Sequence, residues 1–251
     1  FKIKSLLKKK TIRLLIPFLL IGLFYLIPIR FIANYPPYES TSLIRIIYSF
    51  LTVNDCGHLW FLPTLLGIFI IATVLIRMTK SKQSTLICIV LMLYILSPYL
   101  SSFLLITSTK YLFFFFMGYF INQYGKQIFS IKAIYHGLAT LGILLIAYVL
   151  IFHNENRVVT TFTSITIIAS LYYFMPHRTN RFILWLDKNS FGIYLFHSPL
   201  MYIIMNKFSI IAPPAILVPM NLIFDIGGSL IITYFLRAIK CSFVIGEKND
   251  R

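Results

Sequence analysis

Long apolar stretches recur from one end of the chain to the other, and nothing else in the sequence restricts its fold so sharply. Runs such as LLIPFLLIGLFYLI (residues 14–27) exceed what a water-soluble core can hide, and a spanning helix needs roughly 17–25 mainly apolar residues. By that criterion about eight spans are expected. They lie near 14–32, 58–76, 84–106, 111–124, 133–152, 158–176, 190–206 and 215–236. Composition agrees: 59% of the 251 residues are hydrophobic and 12% are charged, with a mean hydropathy of +0.84, a balance that belongs to membrane chains. The expected fold is all-α, a polytopic transmembrane helical bundle forming a single domain over residues 1–251.

The formal net charge of +16 would fit a nucleic-acid binder, but the apolar runs leave no soluble face to present it. Topology accounts for the charge instead. Of the 23 Lys and Arg, 18 fall on one side of the alternating loops and five, Arg30, Arg45, Lys110, Arg157 and Lys207, on the other. That asymmetry places both termini in the cytoplasm. The basic start FKIKSLLKKKTIR leads into a true span, since no small-residue cleavage site follows it. Cys56, Cys88 and Cys241 fall outside, within a span and inside, so no disulfide is expected. No metal-ligand spacing or phosphate-binding glycine loop is visible. The segment from Asn34 to Gly57, with Pro36-Pro37 and a short helix in STSLIRIIYSFL, is the one sizeable external loop.

Ionisable residues inside apolar spans are costly, which makes each a candidate for chemistry. His58 sits at the outer edge of the second span, His197 near the middle of the seventh and Asp225 near the middle of the eighth. In NSFGIYLFHSPLMY, the residues Ser190, Tyr194, His197 and Met201 share one helical face. Each feature carries a plainer reading beside the functional one. His197 and Asp225 serve equally as interhelical hydrogen-bond partners, and Trp60 with His58 as an interfacial anchor and its neighbour. Lys10 and Arg13, three apart, either set topology or hold the phosphates of a cytoplasmic donor. Pro63 starts the second span if it lies in the first helical turn, and kinks it otherwise.

Three segments in order, KKKTIRLLIPFLL, GHLWFLPTLLGIFII and NSFGIYLFHSPL, resemble the membrane acyltransferase-3 family, which includes bacterial polysaccharide O-acetyltransferases and fucose 4-O-acetylase-like proteins. The resemblance implies transfer of an acyl group, commonly acetyl from cytoplasmic acetyl-CoA and without a metal, to a hydroxyl of a glycan or lipid-linked sugar at the bacterial cytoplasmic membrane. It implies no nucleic-acid partner. On this resemblance Lys10 and Arg13 match a donor-binding basic motif. His58, Ser190, Tyr194 and His197 fall in segments that carry catalysis, with Trp60 expected at the substrate. Asp225, which lies in none of the three segments, is expected from its place in the eighth span alone to handle a proton or orient the substrate.

One departure stands out. The family resembles itself in an early Arg followed eleven positions later by His, the expected principal base, and no Arg here has such a partner. The chain therefore looks like a member lacking its first two spans. An exporter of polysaccharide or lipid-linked intermediates, and a noncatalytic membrane subunit, are the competing expectations.

Overall fold

The computed structural model describes residues 3–79, 82–128, 137–138, 141–144, 146, 148, 157–174, 180–208 and 213–247. Every regular element among them is helical. Among the described residues, four helices are long and apolar enough to cross a membrane: Leu7–Ile32, Gly57–Met78, Phe103–Gln123 and Pro214–Ala238. Their outward faces stay apolar, as Ile223 (74% exposed) and Ile231 (71%) illustrate, which is what a lipid-facing surface requires. The chain forms two compact units, Phe1–Phe115 with Leu184–Arg251, and Phe116–Ile183.

In the first unit, α1 (Ile3–Ile21) runs through a π-helical turn, Gly22–Leu26, into α2 (Ile27–Ile32). The cause is Pro28, which lacks an amide hydrogen and crowds the carbonyl four residues back. Just before it, the Ile27 amide reaches five residues back to the Gly22 carbonyl. Glycine is needed at position 22 because a Cβ would lie 1.9 Å from the ring of Phe50. Phe50, fully buried, stacks on Phe18 with ring centroids 4.6 Å apart.

Phe50 belongs to α4 (Leu43–Leu51), which follows the short α3 (Pro36–Glu39). The short helix expected in this segment is present. Its placement differs from that of a free external loop, because Ile46 and Phe50 join the buried core and Phe50 holds α4 against the C-terminal end of α1 and the π turn.

A 3₁₀ turn, Gly57–Trp60, leads into α5 (Phe61–Met78). Pro63 thus occupies the first turn of the helix, where its missing donor costs nothing. Next come α6 (Gln83–Leu96), a 3₁₀ turn at Ser97–Tyr99 and α7 (Phe103–Ile128). The chain therefore breaks near Pro98 rather than near residues 107–110, so Phe103–Ile106 open α7. Lys110, expected in a loop, lies inside that helix with its Nζ 5.4 Å from the ring centroid of Tyr111. Small and hydroxyl side chains bring α5 and α7 together: a Cβ on Gly67 would meet Ser108 Oγ at 2.4 Å, and Thr64 and Thr107 share a hydrogen bond of 3.0 Å, the usual means of joining helices without a hydrophobic driving force.

The second unit contains α8 (Arg157–Phe174), where Gly142 approaches the Thr166 side chain. The expected span 133–152, with His136, lies largely outside the described residues. Further along, α9 (Arg181–Phe208), which belongs to the first unit from Leu184 onward, contains the seventh expected span and α10 (Pro214–Ala238) the eighth. They meet where a Cβ on Gly192 would lie 2.2 Å from Thr233 Oγ1, and where Gly228 faces Leu200. Gly227, next to it, has nothing within 4 Å. A 3₁₀ turn at Ser242–Ile245 then brings Gly246, at φ +66°, against the Arg13 carbonyl. The left-handed backbone and the close approach both demand glycine.

Candidate active site

Two histidines from distant parts of the sequence meet in the first unit. The rings of His58 and His197 are 5.1 Å apart between centroids. The 3₁₀ turn offers His58 to α9, where its Nε2 bonds the Leu195 carbonyl at 3.1 Å. A carbonyl only accepts, so this nitrogen carries the hydrogen and Nδ1 of the neutral ring keeps its lone pair. That Nδ1 is buried and has no partner. His197 is wired in the opposite sense: Nδ1 donates to the carbonyls of Tyr194 (2.9 Å) and Ile193 (3.1 Å), leaving the lone pair on Nε2. The site thus presents two imidazoles, each oriented by backbone and each with one ring nitrogen that makes no hydrogen bond among the described residues.

Tyr194 fixes this geometry from below, donating its hydroxyl to the His58 carbonyl at 2.7 Å. It acts through His58. Asp225 on α10 is 9% exposed, with a buried Oδ1 that has no partner. It lies within electrostatic reach of both His197 and Tyr25. Tyr25, carried by the π turn, packs edge-on against Phe196 and makes a long 3.5 Å contact with its carbonyl. Its position follows from that turn, since one extra residue rotates everything after it.

Next to the histidines is a buried cation. Arg30, 1% exposed, donates from Nη1 to Asp55 Oδ1 (2.8 Å) and the Tyr38 hydroxyl (3.2 Å), and from Nη2 to the Tyr202 hydroxyl (3.2 Å). The rings of Tyr35, Tyr202 and Tyr38 surround the guanidinium at 4.5, 5.3 and 5.7 Å. Burial raises the Tyr38 phenol above its ordinary value, and it pushes the neighbouring Cys56 thiol up to about 12.

At the other end of α1 lies a cavity of about 720 Å³ lined by Lys9, Lys10, Arg13, Lys188, Phe243 and Glu247. Its one carboxylate is already held by Arg237, through Nη2 at 2.6 Å and Nε at 3.0 Å. Arg237 also donates to Asn189 Oδ1 at 2.7 Å and to the Lys188 carbonyl, tying α9, α10 and the C-terminal turn around the cavity. The lysines and Arg13 are left to set its charge. Arg13 packs over Phe191 at 6.0 Å, and Phe191 precedes His197 by about 9 Å along the helix axis.

The structure brings together His58, His197 and Tyr194, with Asp225 near them, and gathers Lys10 and Arg13 at the basic cavity. Ser190 stands apart on an exposed position, its hydroxyl given to the Asp187 carbonyl at 2.8 Å. Trp60 turns towards α7, with ring centroids 5.5 Å from Tyr111 and 6.3 Å from Phe103. Arg30, Asp55 and Tyr25 were not singled out by the sequence. The signal for Arg30 was present as a charge closing an apolar run, followed by Tyr35 and Tyr38, but the charge count absorbed it as a loop residue.

A family model described as an acyltransferase domain, of the acyltransferase-3 type, matches residues 1–238. The chain belongs to this acyltransferase family. The match runs across both units and includes all three motifs that suggested the resemblance. No curated protein and no solved structure matches the chain. The site therefore has to be read from its own chemistry.

Proposed function

We propose that this acyltransferase moves an acyl group, most simply acetyl, from acyl-CoA at the basic cavity to a hydroxyl of a glycan or lipid-linked sugar. The observation that carries the reading is the pair of oriented imidazoles with free lone pairs, located along α9 from a cavity rich in cations. Lys9, Lys10, Arg13 and Lys188 would receive the donor's phosphates, an interaction in which charge-assisted hydrogen bonds are strong. The thioester arm would then run along α9 towards His197.

In the transfer step the acceptor oxygen attacks the thioester carbonyl carbon while its proton passes to His197 Nε2. A C–O bond forms, the tetrahedral intermediate collapses, and the C–S bond breaks. The proton then moves from the imidazolium to the departing thiolate, which leaves as CoA thiol. Asp225 faces the positive charge that forms on His197. The Tyr25 hydroxyl, held only by its long 3.5 Å contact with the Phe196 carbonyl, would turn its hydrogen to the oxyanion. His58 and Tyr194 hold the other wall of the site. In this reading the protein works in a bacterial cytoplasmic membrane with both termini inside, so that donor and acceptor approach from opposite faces.

The test uses membranes containing the full chain, labelled acetyl-CoA and an envelope glycan as acceptor. Alkali-labile label on the glycan is expected, and its absence with a matched acceptor would overturn the proposal.

A further inference from the structure

Between α3, α4 and Asp55 lies a second pocket, of about 260 Å³, lined by none of the residues given a role in the transfer step. We propose that it binds a single sugar ring, and so forms the acceptor subsite of the reaction above; the assignment of its role rests on that reading, the binding itself does not. Its volume lies just below the roughly 300–1,000 Å³ of ordinary ligand clefts, enough for one ring and too small for a chain of them.

The polar groups facing it are mixed in a way that suits a polyol. Asp55 gives Oδ1 to Arg30 and keeps Oδ2 to accept. The Tyr38 oxygen accepts from Arg30, so its own hydrogen is available to donate. Thr41 donates to the Pro37 carbonyl at 2.9 Å and retains lone pairs, while Ser49 and Arg45 complete the lining. Sugar hydroxyls both donate and accept, which matches this alternation. A phosphate fits it less well: Arg45 at the exposed edge would attract it, but the Asp55 carboxylate would face it and the buried Arg30 behind is already engaged.

Occupancy of this pocket reaches the histidines through Arg30. The guanidinium holds Asp55 on one side and Tyr202 of α9 on the other. Its Nη2 also lies 2.7 Å from where a Cβ on Gly57 would be, directly before His58. A ring held by Asp55 thus leans on the residue that sets the position of both histidine-bearing segments.

The experiment measures saturation transfer from the full chain in lipid nanodiscs to methyl glycosides of glucose, galactose, mannose and fucose, without acyl-CoA and without glycoside detergents. At least one glycoside should receive signal. Thr41→Trp, which fills the pocket, should reduce it about tenfold. Arg45→Ala, at an exposed position that leaves the Arg30 cluster intact, should weaken it by about threefold or more. No signal from any glycoside, or a signal that survives both variants in protein with an unchanged unfolding midpoint, would overturn the subsite. A saturable, Trp-sensitive signal in protein that transfers no acetyl would leave the subsite standing and overturn the transfer reading.

Discussion

Two polar centres lie side by side in the first unit, and they are finished differently. Around Arg30 both Nη atoms have partners and three tyrosine rings enclose the charge, so that only Nε is left without a hydrogen bond among the described residues. Around His58 and His197, by contrast, each ring spends one nitrogen on a backbone carbonyl and leaves the other free, while Asp225 keeps an unpartnered oxygen. A buried group with its partners in place holds structure together; one left without them costs free energy and is kept for what it does. The first centre is read as the clamp and the second as the chemistry.

Breaking the clamp should have the largest effect on stability. Arg30→Met leaves Asp55 and two phenols without their donor, and the unfolding free energy in detergent is expected to fall by about 3 kcal/mol, the low end for breaking a buried pair because Asp55 is partly exposed. His197→Gln should leave that quantity nearly unchanged. A comparable loss in both variants would erase the distinction between the two centres.

Smaller effects sharpen it. Gly192→Val drives a side chain into Thr233 at the α9–α10 seam and should cost about 1–3 kcal/mol, measured by the same unfolding titration. At the basic cavity, Lys10→Ala should raise the KM for acetyl-CoA about fivefold, corresponding to about 1 kcal/mol per phosphate-facing cation, with kcat little changed. An equal fall in kcat would place Lys10 in the chemical step. The smallest effect is expected at Cys56. With its thiol pushed up to about 12 by burial, it stays protonated at about pH 9, where an ordinary thiol is largely ionised. Maleimide should therefore label the partly exposed Cys241 and spare Cys56.

Much of this was legible in the sequence for a physical reason: membrane depth makes every ionisable residue conspicuous. His58, His197 and Asp225 were visible because an apolar run has no other use for them. Lys10 and Arg13 were visible as a pair at helical spacing. The Arg30 cluster was not, because its meaning depends on residues 8, 25 and 172 positions away, and the Arg30–Asp55 pair forms only once α3 and α4 fold back. At Ser190 and Trp60 the structure shows contacts that the sequence pattern did not indicate. Helical periodicity put Ser190 on the His197 face, yet its hydroxyl is captured by its own helix, and Trp60 serves the α7 contact. The break at Pro98 was misplaced because Phe103–Ile106 continue the apolar run on either side of it.

The central claim is that the two imidazoles act as one catalytic unit. It is tested most directly by acyl-transfer rates of His58→Gln, His197→Gln and the double variant, measured with labelled acetyl-CoA in membranes holding equal amounts of folded protein. The account predicts that His197→Gln lowers kcat about 100-fold or more, that His58→Gln produces a substantial loss, and that the double variant is scarcely worse than His197→Gln alone. Losses that multiply in the double variant, or a His197→Gln protein that keeps most of its rate, would contradict it.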